Sequence, residues 1–310
     1  MSCAPTASIA APSRVAAGRS FARRPHAPAR PVPSRLPRAD PPARVRSASD
    51  AFDLDALMPD TIEGDLEGLQ EEAGAEFDDD GVPLNYGDVD AETTALDEGV
   101  GIVDRGPAWR LLRLAGPDAV PALIAAGAAE ADVRSLLALA PGRGAALSFV
   151  GNDEGDGGDE SGGGGATGAG TGTPAHATLH VMDGGLLIVA PATTAGRVAD
   201  AAGASATRLD ERCVLLTLIG PLAGDLLKSA GVVGVMEGDV GAHATFGFEG
   251  RPVVAARGGE IPEIREGVVN LVADEGVAGL LWAAMVAKGA RECGTESVER
   301  VVERARARAR

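Results

Sequence analysis

The stretch Leu114-Ala-Gly-Pro-Asp-Ala-Val-Pro-Ala-Leu-Ile-Ala-Ala-Gly127 returns 104 residues later as Leu218-Ile-Gly-Pro-Leu-Ala-Gly-Asp-Leu-Leu-Lys-Ser-Ala-Gly231, with seven of fourteen positions identical. Each copy follows a Leu-rich apolar run, Trp109 to Leu114 and Cys213 to Ile219. That order reads as a strand, a Gly-Pro turn and a short helix. Pro117 and Pro221 suit the first helical turn, where no N–H is needed. Gly127 and Gly231 suit the position just past the helix end, where φ is positive. Two unrelated units could share a Gly-Pro turn, but the common Leu, Ala and Gly spacing favours an internal duplication.

Outward from these units, strands and helices alternate irregularly. Asp183-Gly184-Gly185 separates two apolar runs and reads as a hairpin turn, as does Glu249-Gly250 before Arg251. Thr193 to Ala202 reads as a helix stopped by Gly203, and Ala145 to Val150 and Val268 to Val272 as strands. Asp274 caps the clearest helix, whose apolar face is Val277, Leu280, Leu281, Ala284 and Met285, closed by Lys288-Gly289. Hairpins among helices favour an α+β fold over a doubly wound sheet.

Several of these segments resemble one family. Ala95 to Arg105 is similar to the opening strand of the folate-binding T-protein family, which holds the glycine cleavage aminomethyltransferase and the YgfZ-like iron–sulfur maintenance proteins. Leu114 to Ala119 resembles its first Gly-Pro-Asp-Ala turn. Glu130 to Leu136, Val189 to Thr193, Leu218 to Ala223 and Leu281 to Ala290 also resemble family segments. The likeness runs from near Tyr86 over about two thirds of the chain, and the short connections favour the YgfZ-like branch. It implies a folate-binding fold, tetrahydrofolate as cofactor, and iron–sulfur assembly or client proteins as partners. It also implies that Asp132, after the first Gly-Pro helix, lies near the reactive end of the folate, where a carboxylate can hydrogen-bond the pterin or stabilise a developing cation. The chain departs from the family at Gly267-Val-Val-Asn270, which lacks the usual aromatic and carboxylate, and at its end. There the Cys motif of the YgfZ-like branch and the C-terminal barrel domain are missing, so a C-terminal truncation is expected. Three functions stay open: folate-binding support of iron–sulfur proteins, aminomethyl transfer to tetrahydrofolate, and a non-catalytic interaction protein.

The flanks are a different material. Residues 1–48 hold nine Arg, nine Pro and one acid, Asp40. That is the composition of a transit peptide, and its uncharged first thirteen residues favour a chloroplast over a mitochondrion. Losing it takes the net charge from −17 to −25. Residues 49–91 read as an acidic disordered leader, with no Lys or Arg between 50 and 98 and with Phe52, Leu54, Leu57, Leu66 and Leu69 as a possible docking segment. The folate-binding region is expected over 92–294, interrupted by a Gly-rich acidic insertion loop at 151–174, and 295–310 reads as a helical, low-complexity Ala-Arg tail.

The remaining residues narrow the chemistry. The acidic balance argues against nucleic-acid partners, and no apolar run reaches the length of a membrane span. Phe77-Asp-Asp-Asp-Gly81 lacks the ligand ladder of a calcium loop, and Gly168-Ala-Gly-Thr-Gly172 lacks the Lys of a phosphate loop. His176 and His180 share a strand face about 13 Å apart, too far for a metal pair. Cys213 reads as a core residue and Cys293 as a packed or exposed thiol, and so few cysteines suit a reducing compartment. No catalytic triad and no metal set is expected; Asp132 is the one site residue.

Overall fold

Both Gly-Pro stretches fold as strand, turn and helix, and both helices end alike. Past Ala119–Ala125, the Gly127 N–H reaches the Ile124 carbonyl and the Ala128 N–H reaches Leu123. Past Ala223–Ser229, Gly231 reaches Lys228 and Val232 reaches Leu227 in the same pattern. This double bond needs a left-handed residue, and Gly127 and Gly231 supply it at φ 102° and 84°. Pro221 stands in the turn two residues ahead of its helix, and Pro117 lies outside the described residues.

The computed structural model describes residues 65–150 and 174–310, apart from 107, 117, 265 and 266. The expected transit peptide and nearly all of the expected insertion loop lie outside these residues. In chain order the elements are α1 (Leu66–Glu72), β1 (Glu76–Phe77), β2 (Pro83–Asn85), α2 (Val89–Glu98), β3 (Gly101–Asp104), β4 (Trp109–Leu114), α3 (Ala119–Ala125), α4 (Glu130–Leu137), β5 (Arg143–Phe149) and β6 (Ala175–Met182). Then come β7 (Gly185–Pro191), α5 (Ala192–Ala202), β8 (Ala206–Arg208), β9 (Cys213–Ile219), α6 (Ala223–Ser229), β10 (His243–Phe248), β11 (Arg251–Arg257), β12 (Val268–Asp274), α7 (Glu275–Ala287), β13 (Arg291–Glu292) and α8 (Thr295–Ala309).

The strands form a six-stranded sheet, β10-β11-β12-β9-β3-β13, a five-stranded sheet, β5-β6-β7-β4-β8, and a small β1-β2 pair. Pairing is antiparallel except between β13 and β3, so the chain is mixed α/β with hairpins. Alternate residues of a strand point to opposite faces. In β9, Leu216 and Leu218 face α6 and α7, whereas Leu215 faces the other sheet. In β4, Leu112 and Leu114 face α3 and α5, whereas Leu111 meets Leu187, Val189, Val254 and Val272. The layers therefore run helix, sheet, sheet, helix, with one Gly-Pro unit in each half. The Glu249-Gly250 turn has φ 48° and 78°, as a two-residue hairpin demands. Asp274 caps α7 through the Gly276 N–H at 3.0 Å. Among the described residues no helix is long and apolar enough to cross a membrane.

One expectation is corrected and one is extended. The acidic leader over 49–91 is not disordered from residue 65 on: residues 65–91 hold α1, β1, β2 and the start of α2. Leu66 and Leu69 pack on the core beneath α7, and Gln70 is buried against Asp104. Glu67, Glu71, Glu72 and Asp78 to Asp80 stay exposed, so their charge keeps its water while the apolar face docks. The Ala-Arg end forms the expected helix, α8, and it is docked on the body of the protein. Val298, Val301 and Val302 pack on Leu96 and Ile261, and Arg300, Arg304 and Arg306 pair with Asp90, Asp97 and Glu263. The pairs join residues some 40 to 210 positions apart in sequence, which composition cannot reveal.

Candidate functional site

The space between the sheets is dry at one end and polar at the other. Asn270 and Thr217 are the polar residues inside two strands that are apolar up to the capping Asp274, and the β12–β9 register sets them opposite each other. The Thr217 hydroxyl donates to Asn270 Oδ1 at 2.9 Å, which turns the Asn270 amide toward Glu260 Oε1 at 3.1 Å. Glu260 belongs to a strap, Gly258-Gly259-Glu260, that leaves β11 and touches both sheets. Its Oε2 accepts from the Thr178 hydroxyl of β6 at 2.7 Å and from the Gly259 N–H at 2.8 Å. Its Oε1 also accepts from Arg105 Nη1 at 3.0 Å, and the Arg105 guanidinium lies 3.7 Å from the Trp109 ring centroid. A Cβ on Gly259 would meet Val240 Cγ1 at 2.3 Å, so the strap lies this close to its neighbours because that residue has no side chain.

The partners in the ion pair are perturbed differently. Burial draws the Arg105 guanidinium down to about 10, against the pull of Glu260. Burial alone would push the Glu260 carboxyl up, but Arg105, Thr178 and Asn270 hold it below the usual carboxylate range. Both groups are thus charged at neutral pH while withdrawn from water, a state that depends on each keeping the other. Beside them, His180 and His243 meet edge to face at 5.3 Å between centroids, with each Nδ1 within hydrogen-bonding distance of the Gly241 carbonyl oxygen. Burial, then the neighbouring His243, draws His180 down to about 4. Its Nε2 has no partner among the described residues.

A cleft opens on each side of the strap. One, of about 470 Å³, lies between α4, the start of β5 and the Asp239-Val240 loop, with Gly259 at its edge. Asp132, in the first turn of α4, is exposed and lines this cleft with Leu136, Ala146 and Leu147. The other, of about 520 Å³, lies beneath α8 and is lined by Arg105, Glu260 and Trp109. Asp132 therefore shares its cleft with the strap but not with the buried ion pair.

The other sequence candidates fall elsewhere. His176 meets Ser148 at 3.1 Å while His180 turns inward to His243. Cys213 and Cys293 are both buried, and burial pushes each thiol up to about 12, which makes Cys293 a packed residue and not an exposed thiol. Gly267 to Asn270, where the resembling family would place an aromatic and a carboxylate, contributes its Asn270 to the Glu260 network. Sequence reasoning passed over Glu260, Arg105 and Thr178; the legible signal was a polar residue inside each of two apolar strands. Among the described residues no group of three or more His, Cys, Asp or Glu is placed to hold a metal ion.

No protein-family model matches the chain, and no curated protein matches it. Among solved structures it is similar to the glycine cleavage system aminomethyltransferase T from Bartonella henselae, with 21% identity and a TM-score of 0.53, over 74% of this chain and 58% of that one. It is also matched to the heterotetrameric sarcosine oxidase from Corynebacterium sp. U-96 in complex with pyrrole 2-carboxylate, with 18% identity, over 66% of this chain and 94% of that one; the TM-score of 0.37 is too low to support an inference. The first likeness establishes the fold as that of aminomethyltransferase T, and the chain spans 58% of that enzyme's length.

Proposed function

We propose that the cleft lined by Asp132 binds a reduced folate, and that the chain is a YgfZ-like protein supporting iron–sulfur protein maturation in a plastid. The observation that carries the folate reading is the place of Asp132, which lines a cleft with Leu136, Ala146, Leu147 and Val240, and with Ser135 and Asp239 as its other polar residues. Apolar walls suit the faces of a pterin ring, and a carboxylate suits its N–H donors. The aminomethyltransferase T fold supports this reading, because the family that the sequence resembles binds tetrahydrofolate. The iron–sulfur role rests on the resemblance to the YgfZ-like branch, and the compartment on the composition of residues 1–48.

Titration of the chain with tetrahydrofolate tests the proposal. The expected dissociation constant is no tighter than roughly tens of micromolar, about −6 kcal/mol. Asp132→Asn should weaken binding about tenfold, the loss expected for one charge-assisted hydrogen bond. No detectable binding would sink the folate reading and leave an interaction protein. The activity in the name of the Bartonella enzyme favours a second reading, aminomethyl transfer, and turnover with an aminomethylated lipoyl carrier would establish it in place of the first. A reporter fused to residues 1–48 should enter plastids, and retention in the cytosol would remove the compartment from the proposal.

A further inference from the structure

The Arg105–Glu260 pair does not close on itself. The Thr178 hydroxyl and the Gly259 N–H already occupy Glu260 Oε2, and the Asn270 amide shares Oε1. One oxygen is therefore left for the guanidinium, which binds through Nη1 alone instead of by the two-pronged contact that a free carboxylate accepts. A guanidinium carries five N–H donors. The guanidinium also stacks on the Trp109 ring, 3.7 Å from its centroid. The side chain keeps 8% of its surface exposed and lines the cleft beneath α8, and among the described residues its one hydrogen bond is the one to Glu260.

We propose that the cleft beneath α8 is a binding site, separate from the one beside Asp132, for a small monocarboxylate with an apolar body. The ligand carboxylate completes the set of acceptors around Arg105. Its body lies along Val103, Ile261, Val298 and Val302, in a cavity of about 520 Å³ that suits a small molecule. The mouth sets the charge of the ligand. Arg306 is already paired with Glu263, and the exposed Glu299 and Glu303 of α8 add two negative charges at the rim that have no ion pair among the described residues. Phosphate and dicarboxylates meet that repulsion with a second charge, whereas a monocarboxylate carries its single charge past the rim to Arg105.

The probe is hexanoate, added to the full chain and followed by ligand-observed NMR. Parallel titrations use 1-hexanol, succinate and inorganic phosphate. Hexanoate should bind at least about tenfold more tightly than each of the three, the margin expected of a charge-assisted contact at a buried cation. Val302→Trp, which fills the cleft from the half-buried face of α8, should abolish hexanoate binding; because Val302 also belongs to the stripe that docks α8, its circular dichroism spectrum checks that the variant is folded. Arg105→Lys keeps a cation for Glu260 but removes the planar fork, and should weaken hexanoate binding about tenfold. Equal binding of hexanol and hexanoate overturns the proposal, as does phosphate binding as tight as hexanoate. So does hexanoate binding that survives Val302→Trp unchanged. Because Asp132 lines the other cleft, Asp132→Asn should leave hexanoate binding untouched, so loss of this site and loss of the folate site are told apart.

Discussion

The two ends of the inter-sheet layer solve the same burial problem in opposite ways. At one end Leu111, Leu187, Val189, Leu215, Val254 and Val272 close a dry contact between the sheets. At the other, Thr178, Glu260, Arg105, Asn270 and Thr217 close it with hydrogen bonds and an ion pair. The dry end gains from area removed from water. The polar end must first take two charges out of water, a penalty that the attraction between them often only offsets. Stability does not explain why the polar end is retained, but position does. Glu260 holds a strap that lines one cleft with Gly259 and the other with its own side chain.

The largest effect should come from breaking the ion pair. Glu260→Ala leaves Arg105 buried and uncompensated and should lower stability by about 3–5 kcal/mol. The double variant Arg105→Met/Glu260→Leu should recover most of that loss in urea unfolding, and a double variant as unstable as the single would show that the pair itself holds the sheets together. Next is acid. The folded-state pKa of His180, about 4, lies below its unfolded value of about 6.5, so the unfolded chain takes up the proton first. The stability of neutral His180 is therefore complete above pH 6.5 and lost as pH falls toward 4, by about 3 kcal/mol. His243 is lowered by burial too and adds to the same limb. His180→Phe should flatten the urea midpoint between pH 7 and pH 4.5, and an unchanged slope would move the acid sensitivity to other groups.

Smaller changes separate the two ends more finely. Thr217→Val leaves Asn270 Oδ1 without its donor and should cost about 1–3 kcal/mol, while Thr217→Val/Asn270→Leu should approach the wild type. A double variant worse than the single would mean that the Asn270 contact to Glu260 outweighs the contact it makes with Thr217. The smallest effect is expected on the surface: Arg304→Ala removes a half-exposed pair with Asp97 and should change stability by less than about 1 kcal/mol. A larger loss would mean that the pair, and not the Val298, Val301 and Val302 stripe, holds α8 down.

By itself the sequence determined the local elements. The Gly-Pro units, both hairpin turns, the Asp274 cap and the glycines that end α3 and α6 were legible because each depends on neighbours within about six residues, through left-handed backbone, capping groups and periodicity. Asp132 was legible only through resemblance, and its placement beside a cleft came from the packing of α4 on β5. Tertiary structure alone decided the rest. Glu260 stands between a Gly-Gly pair and Ile261-Pro262 with nothing local to mark it, and it acquires its chemistry from Arg105, 155 positions away, and Thr178, 82 away. Residues 65–91 read as solvated because composition counts charges, whereas folding sorts them: the acids of α1 face water while Leu66, Leu69 and Gln70 face the core. The Ala-Arg end likewise found its acidic partners only once α2 and α8 lay side by side. A charge alone in sequence has no environment; burial and a distant counter-charge give it one, and both arise only when the chain is folded.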